Sequence, residues 1–205
     1  MNQVITIARG YGSGGRTMGR RLADELGWAY YDRELLQLAA DESGINEALF
    51  ARADETARRS LLFKVARAAY DGEPIPPDRE DFISNENLFR YQAKIIRELA
   101  AAQNCVIIGR CANFILRDQP NVLNLYVHAP FERCVETVMD MFALSRPDAE
   151  SRIRETDKRR GMYYRHFTGH NWQDADYYDL CIGSSRLGWE KTIELVKACL
   201  RIRFG

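Results

Sequence analysis

Eight residues near the N-terminus carry the pattern most capable of chemistry. Gly10-Tyr11-Gly12-Ser13-Gly14-Gly15-Arg16-Thr17 follows an apolar run, Val4 to Ala8, and precedes an amphipathic stretch. The segment satisfies G-x-x-x-x-G-K-[ST] once Arg16 stands for the lysine. In such a loop, backbone N–H groups wrap the phosphates of a nucleotide, aided by the positive end of the helix that follows. Arg16 supplies further positive charge, and the Thr17 hydroxyl is a ligand for Mg²⁺. Gly10, Gly12 and Gly15 also satisfy G-x-G-x-x-G, the fingerprint of dinucleotide binding. Asp32 stands 22 residues after Gly10, close to where a ribose-binding acid belongs. Five glycines between Gly10 and Gly19 argue against a tight turn that holds no ligand. Ser13 has no recognisable base to activate it and reads as a small residue of the loop rather than a nucleophile.

A second concentration lies far along the chain. Arg152, Arg154, Lys158, Arg159, Arg160 and Arg165 fall within fourteen residues, relieved by Glu155 and Asp157. On a helix, Asp157 and Arg160 share one face. Alone, such a run is a solvated helix face. Beside a phosphate-binding loop it is the set of cations that phosphoryl transfer requires, because positioning and charge stabilisation dominate that reaction. A dinucleotide site needs little beyond its glycines and its acid.

Other residue types point elsewhere. His128, His166 and His170 have no ligand spacing to each other or to a cysteine, so a metal role for them is not expected. The five cysteines are an odd number without a C-x-x-C pair, and Cys105, Cys134 and Cys181 sit in apolar segments as small core residues do. Met139 and Met141 read as core filling. Tyr163, Tyr164, Tyr177 and Tyr178 could stack on a base, but packing on helix and strand faces is the commoner use of tyrosine.

The whole chain constrains the partner. Of 205 residues, 29 are basic and 29 acidic, so the formal net charge is zero, which argues against a nucleic-acid polymer. The basic residues are 24 arginines and only 5 lysines, and guanidinium clamps oxyanions bidentately where ammonium cannot. No run approaches a membrane span, and MNQVITIARG lacks the features of a secretory signal, so a cytoplasmic protein with no membrane partner is expected.

The elements that must position these residues alternate in type. Strands are expected at Val4 to Ala8, Trp28 to Tyr31, Cys105 to Ile108, Val122 to Val127 and Tyr178 to Ile182. Between them, Met18, Leu22 and Leu26 mark a helix closed by Gly27. Asp32 caps a second, with Leu35, Leu36, Leu38 and Ala39. Leu88, Gln92, Ile95 and Leu99 mark another. Phe131, Val135, Val138 and Phe142 share the face of a fourth, and a last helix runs from about Gly188 to Ile202. Residues 42–83 are an irregular excursion from the core. Apolar strands alternating with helices define an α/β fold with a parallel sheet in a single domain.

With these residues in view, the chain resembles the cytidylate kinase-like family, a branch of the P-loop nucleoside monophosphate kinases. The resemblance is carried by ITIARGYGSGGRTMGRRLADELGWAYYDRELL from Ile5, VIIGRCANFIL from Val106, DKRRGMYYRHFTG from Asp157 and YDLCIGSSRLG from Tyr178. It implies a P-loop kinase with a five-stranded parallel sheet flanked by helices, a helical acceptor-binding insertion over about 42–83 and a lid over about 148–170. It implies transfer of the ATP γ-phosphate, with Mg²⁺, to an acceptor phosphate such as that of CMP or dCMP. Carried over, Gly10, Gly12, Ser13, Gly14, Gly15, Arg16 and Thr17 would bind the ATP phosphates and Mg²⁺. Asp32 would sit at the acceptor site, Arg110 would contact the acceptor phosphate, and Arg160 and Asp157 would meet the transferring phosphate and the acceptor. Three positions depart from the pattern: Arg16 replaces lysine, Leu38 replaces arginine, and Cys111 replaces aspartate. Arg33 is a candidate substitute for one lost acceptor contact. A nucleotide-binding regulatory protein without kinase activity and an NAD-dependent oxidoreductase are the alternatives, and homo-oligomer formation is left open.

Overall fold

The computed structural model describes residues 2–32, 38–39, 73–74 and 84–205. The expected helix after Asp32 and the excursion over 42–83 therefore lie mostly outside the described residues, as does Arg33. Five strands form one parallel sheet: β1 (Val4–Arg9), β2 (Ala29–Tyr31), β3 (Cys105–Ile108), β4 (Val122–His128) and β5 (Leu180–Gly183), in the order β2-β3-β1-β4-β5. Parallel pairing requires a crossover between neighbours. The described helices are α1 (Gly15–Leu26), α2 (Asn85–Ala102), the short α3 (Ala112–Ile115), α4 (Phe131–Phe142), α5 (Arg146–Thr168) and α6 (Ser184–Phe204). In a dinucleotide-binding sheet the second strand lies beside the first. Here β3 separates them, which removes the basis of the NAD reading.

Alternation along the strands divides the interior. Cys105 and Ile107 face one side of the sheet with residues of α2, α3 and the end of α5. Val106 and Ile108 join Ile5, Ile7, Leu123 and Leu125 on the other side, against Met18 and Leu22 of α1 and Val196 of α6. All of these strand residues are fully buried, as a parallel sheet covered on both faces demands. A third, smaller cluster joins Cys134, Val135 and Val138 of α4 to Ala149 and Ile153 of α5.

Local chemistry sets the helix ends. Gly27 closes α1 in the left-handed conformation. The Ser84 hydroxyl accepts the N–H of Asn87 at the start of α2, and Ser145 does the same for Asp148 at the start of α5. Two expected boundaries differ. Tyr178 lies outside β5, because Asp174 caps a short 3₁₀ turn at Ala175–Tyr177 and the Tyr178 hydroxyl is held by the Trp172 carbonyl. The last helix begins at Ser184 and is interrupted at Gly188, whose φ of 72° only glycine adopts easily. Cys181 is exposed rather than buried, since β5 is an edge strand and Cys181 points away from the face that buries Ile182. No described helix is long and apolar enough to cross a membrane.

Candidate active site

The glycine loop leaves β1 and turns directly into α1. Its foundation is buried: Ser13 donates its hydroxyl to the carbonyls of Gly10 and Val127, and the Gly10 N–H reaches the Val127 carbonyl at 3.1 Å. Gly14 caps α1 at a φ of 76°, with no side-chain cap and no acidic residue in the first turn. The positive end of the α1 dipole is therefore directed at the loop. Only glycine fits at Gly14, since a Cβ there would lie 1.6 Å from the Trp189 ring. Ser184, at the start of α6, secures the same loop by donating to the Ser13 carbonyl at 2.8 Å.

The charged helix meets the loop from the far end of the sequence. Asp157 accepts the Tyr11 N–H at 2.9 Å, and Arg160 donates to both Asp157 and the Arg9 carbonyl, at 3.1 and 3.0 Å. The Arg160 guanidinium also lies 5.3 Å from the centre of the Tyr11 ring. Burial raises the Asp157 carboxyl above its ordinary value, against the opposing pull of Arg160, the Tyr11 N–H and Arg9.

On the other flank, Asp32 is buried at the end of β2. Its carboxylate meets Arg16 Nε at 2.5 Å and lies 4.0 Å from Arg9 Nη2. Arg9 itself runs beneath Gly109, where a Cβ would stand 2.2 Å from Nη1. Gly109, Arg110 and Cys111 all have positive φ (69°, 58° and 55°), a left-handed turn that brings β3 into α3. Non-glycine residues in that region are uncommon and concentrate at functional sites.

These elements enclose a cleft of about 590 Å³, lined by the loop, Asp32, Arg110 and the facing side of α4 and α5. Among the described residues, six arginines line it: Arg9, Arg16, Arg110, Arg152, Arg159 and Arg160. Of the site residues expected from the sequence, Gly10, Gly12, Gly14, Gly15, Arg16, Thr17, Asp32, Arg110 and Arg160 line this cleft, and Ser13 and Asp157 are hydrogen-bonded to residues that do. Arg154, Lys158 and Arg165, of the same charged run, are exposed and are not among its lining residues. Tyr163 and Tyr164 are buried walls of the cleft, held by Gln92 and Asn113 through their hydroxyls. Met139 packs against the α4–α5 cluster, whereas Met141 is exposed at the cleft mouth because α4 ends there. A second cavity of about 560 Å³ opens behind Asn113 and Tyr164 and contains no loop residue.

Sequence reasoning missed Arg9, Ser184 and Trp189. Arg9 left a signal, a single charge ending an apolar strand directly before the loop. Ser184 and Trp189 left none, since only the tertiary structure brings α6 to Ser13 and Gly14.

A parallel sheet in this order, with a glycine loop after its first strand and an arginine-bearing helix facing it, is the P-loop kinase fold. Shikimate kinase from Bacteroides thetaiotaomicron shares it at a TM-score of 0.55 and 11% identity, over 97% of this chain and 98% of that one. An uncharacterized protein from Eubacterium ventriosum superposes at 0.74 with 24% identity, over 99% and 100% of the two chains. The chain belongs to the cytidylate kinase-like family, whose model matches residues 4–186. It is similar to the cytidylate kinase of Methanopyrus kandleri, with 26% identity over 206 residues, covering 96% of this chain and 92% of that protein. The cytidylate kinase of Methanosarcina acetivorans is 25% identical over 202 residues, covering 98% of each.

Proposed function

We propose that the protein transfers the γ-phosphoryl group of ATP to the phosphate of a pyrimidine nucleoside monophosphate, CMP or dCMP, giving the diphosphate. The observation that carries this reading is the convergence of six arginines on one cleft beside the glycine loop. Among the described residues, these six set against the carboxylates of Asp32 and Asp157 leave four net positive charges. Magnesium-bound ATP and a nucleoside monophosphate together bring about four negative charges at neutral pH.

In this reading the loop amides and Arg16 hold the donor phosphates, and Arg110 holds the acceptor phosphate. An acceptor oxygen attacks the γ-phosphorus in line and ADP leaves, with no covalent enzyme intermediate. Arg160 is anchored by Asp157 and the Arg9 carbonyl, and in this reading it stabilises the transferring charge. Among the described residues no three histidine, cysteine or acidic groups cluster as a metal site. Thr17 lines the cleft on the first turn of α1, and its hydroxyl would be the protein ligand of Mg²⁺, which otherwise binds through substrate phosphates and waters. Arg33 and residues 42–83 belong to the same proposal, as an acceptor contact and an acceptor-binding insertion.

Cys111 and Leu38 favour one other reading. They stand where the family pattern has acceptor-binding side chains, which suits a nucleotide-binding protein without transferase activity. A coupled ADP-release assay over a panel of nucleoside monophosphates separates the two. Turnover with CMP or dCMP supports the kinase; ATP binding without turnover of any member supports the regulator.

A further inference from the structure

The two least expected features of the cleft are in contact. The loop has arginine where lysine is usual, and the acid expected at the acceptor site lies 2.5 Å from that arginine's Nε. We propose that Asp32 is a positioning residue for Arg16: it holds the loop guanidinium in place for the donor phosphates and does not bind the acceptor. This rests on the phosphoryl-transfer reading above and assigns Asp32 a different task within it.

Three observations support the assignment. The Asp32 side chain lines the cleft but is only 6% exposed, so it offers little surface to a sugar or base. Its carboxylate is flanked by two guanidiniums, Arg16 at Nε and Arg9 at 4.0 Å, and Arg9 is confined beneath Gly109. A ligand hydroxyl would compete there with two fixed positive charges. Finally, the Arg16 side chain is 57% exposed on the first turn of α1, so it needs a tether to stay at the loop.

The chemistry of the side chain explains why arginine suits this task. Guanidinium carries five N–H donors in a rigid plane, so a carboxylate bound at Nε does not exhaust it. The same carboxylate fixes the direction of the plane, and with it the fork that grips phosphate oxygens bidentately. An ammonium is a single point of charge. Held by Asp32, a lysine would be drawn from the phosphates; released, it would have no orientation to preserve. Arg16 and Asp32 therefore form one unit, and restoring the common lysine should impair this protein.

The test is a substitution cycle on R16A, D32N and R16A/D32N, with R16K beside it, each first confirmed as folded by thermal melting. In steady-state turnover with CMP, D32N is expected to lower kcat about tenfold or more while the acceptor KM stays within about threefold. Because Asp32 acts through Arg16, adding D32N to R16A should cost less than about twofold more. R16K should lose activity as well. An acceptor KM raised about tenfold at unchanged kcat, or a D32N loss that multiplies fully with that of R16A, overturns the proposal and returns Asp32 to the acceptor.

A measurement on the wild-type protein needs no turnover. The Nε–H resonance of Arg16, identified in ¹⁵N NMR by its loss in R16K, should be shifted by the carboxylate. It should move in D32N and persist in its shifted position when magnesium ADP is added. Its loss on adding magnesium ADP would show that Arg16 leaves Asp32 and would overturn the proposal while leaving phosphoryl transfer intact. Persistence of the resonance in a protein that binds ADP but phosphorylates nothing would support the positioning role and defeat the kinase reading instead.

Discussion

Asp157 accepts the backbone N–H of Tyr11 at 2.9 Å, joining two residues 146 positions apart in the chain. The contact ties the charged helix α5 to the loop itself, and Arg160 completes it from the same helix face. Arg160→Ala should lower kcat about a hundredfold, the cost of removing one aligned donor from a developing oxyanion, roughly 2.7 kcal/mol. Its effect on melting should be small, about 1 kcal/mol, since the pair it leaves is a single partly exposed one. Steady-state kinetics and a melting curve check both; near-normal turnover would remove Arg160 from the site.

Asp157 also sets a pH dependence. Burial raises its folded-state value above the ordinary one. A carboxyl of this kind binds its proton more tightly folded than unfolded, so its contribution to stability is complete below the unfolded value. That contribution is lost as pH rises through the folded value. Above the folded value, the ionised carboxylate therefore weakens the fold relative to its protonated form. Asp157→Asn should melt at or above the wild type at pH 7, with the difference disappearing below about pH 4. Phosphoryl transfer should fall in the same variant. A lower melting temperature at pH 7, with the same gap in acid, would contradict this.

Gly14→Ala tests the close approach between loop and α6. The added methyl meets the Trp189 ring and also forces a side chain into positive φ. We expect destabilisation of about 2 kcal/mol or more, together with loss of ADP binding by calorimetry. Adding Trp189→Ala removes the collision but not the backbone strain, so it should recover only part of the melting temperature. Full recovery would mean that φ at Gly14 is unimportant.

The cysteines give a readout of the fold. Burial pushes the Cys105 thiol up to about 12 and the Cys134 thiol up to about 11, whereas Cys181 is exposed. Mass spectrometry after alkylation of the folded protein should find Cys181 modified first, and Cys105 and Cys134 modified only after unfolding.

Much of the sheet could be read directly because its strands are short apolar runs between polar breakers. Cys105–Ile108 was expected with its observed bounds, and Val4–Arg9 and Val122–His128 each extend one residue further. The glycine loop and the Asp157–Arg160 pair were legible because their spacing is local. What remained hidden depends on tertiary approach: Ser184 against Ser13, Trp189 over Gly14, and the Asp32 carboxylate against Arg16. Tyr178 was misplaced because its apolar neighbours suggest a strand, whereas a side-chain cap four residues earlier decides the backbone path.

The small cluster between α4 and α5 has a mechanical consequence. Cys134, Val135, Val138, Ala149 and Ile153 pack together apart from the two interiors that flank the sheet. The far end of α5 is fastened elsewhere, through Tyr163, Tyr164 and Phe167 in the main interior. Arg152, Arg159 and Arg160 therefore sit on a span moored at both ends. Their mutual spacing is that of one helix, so the three charges meet the cleft as a single row.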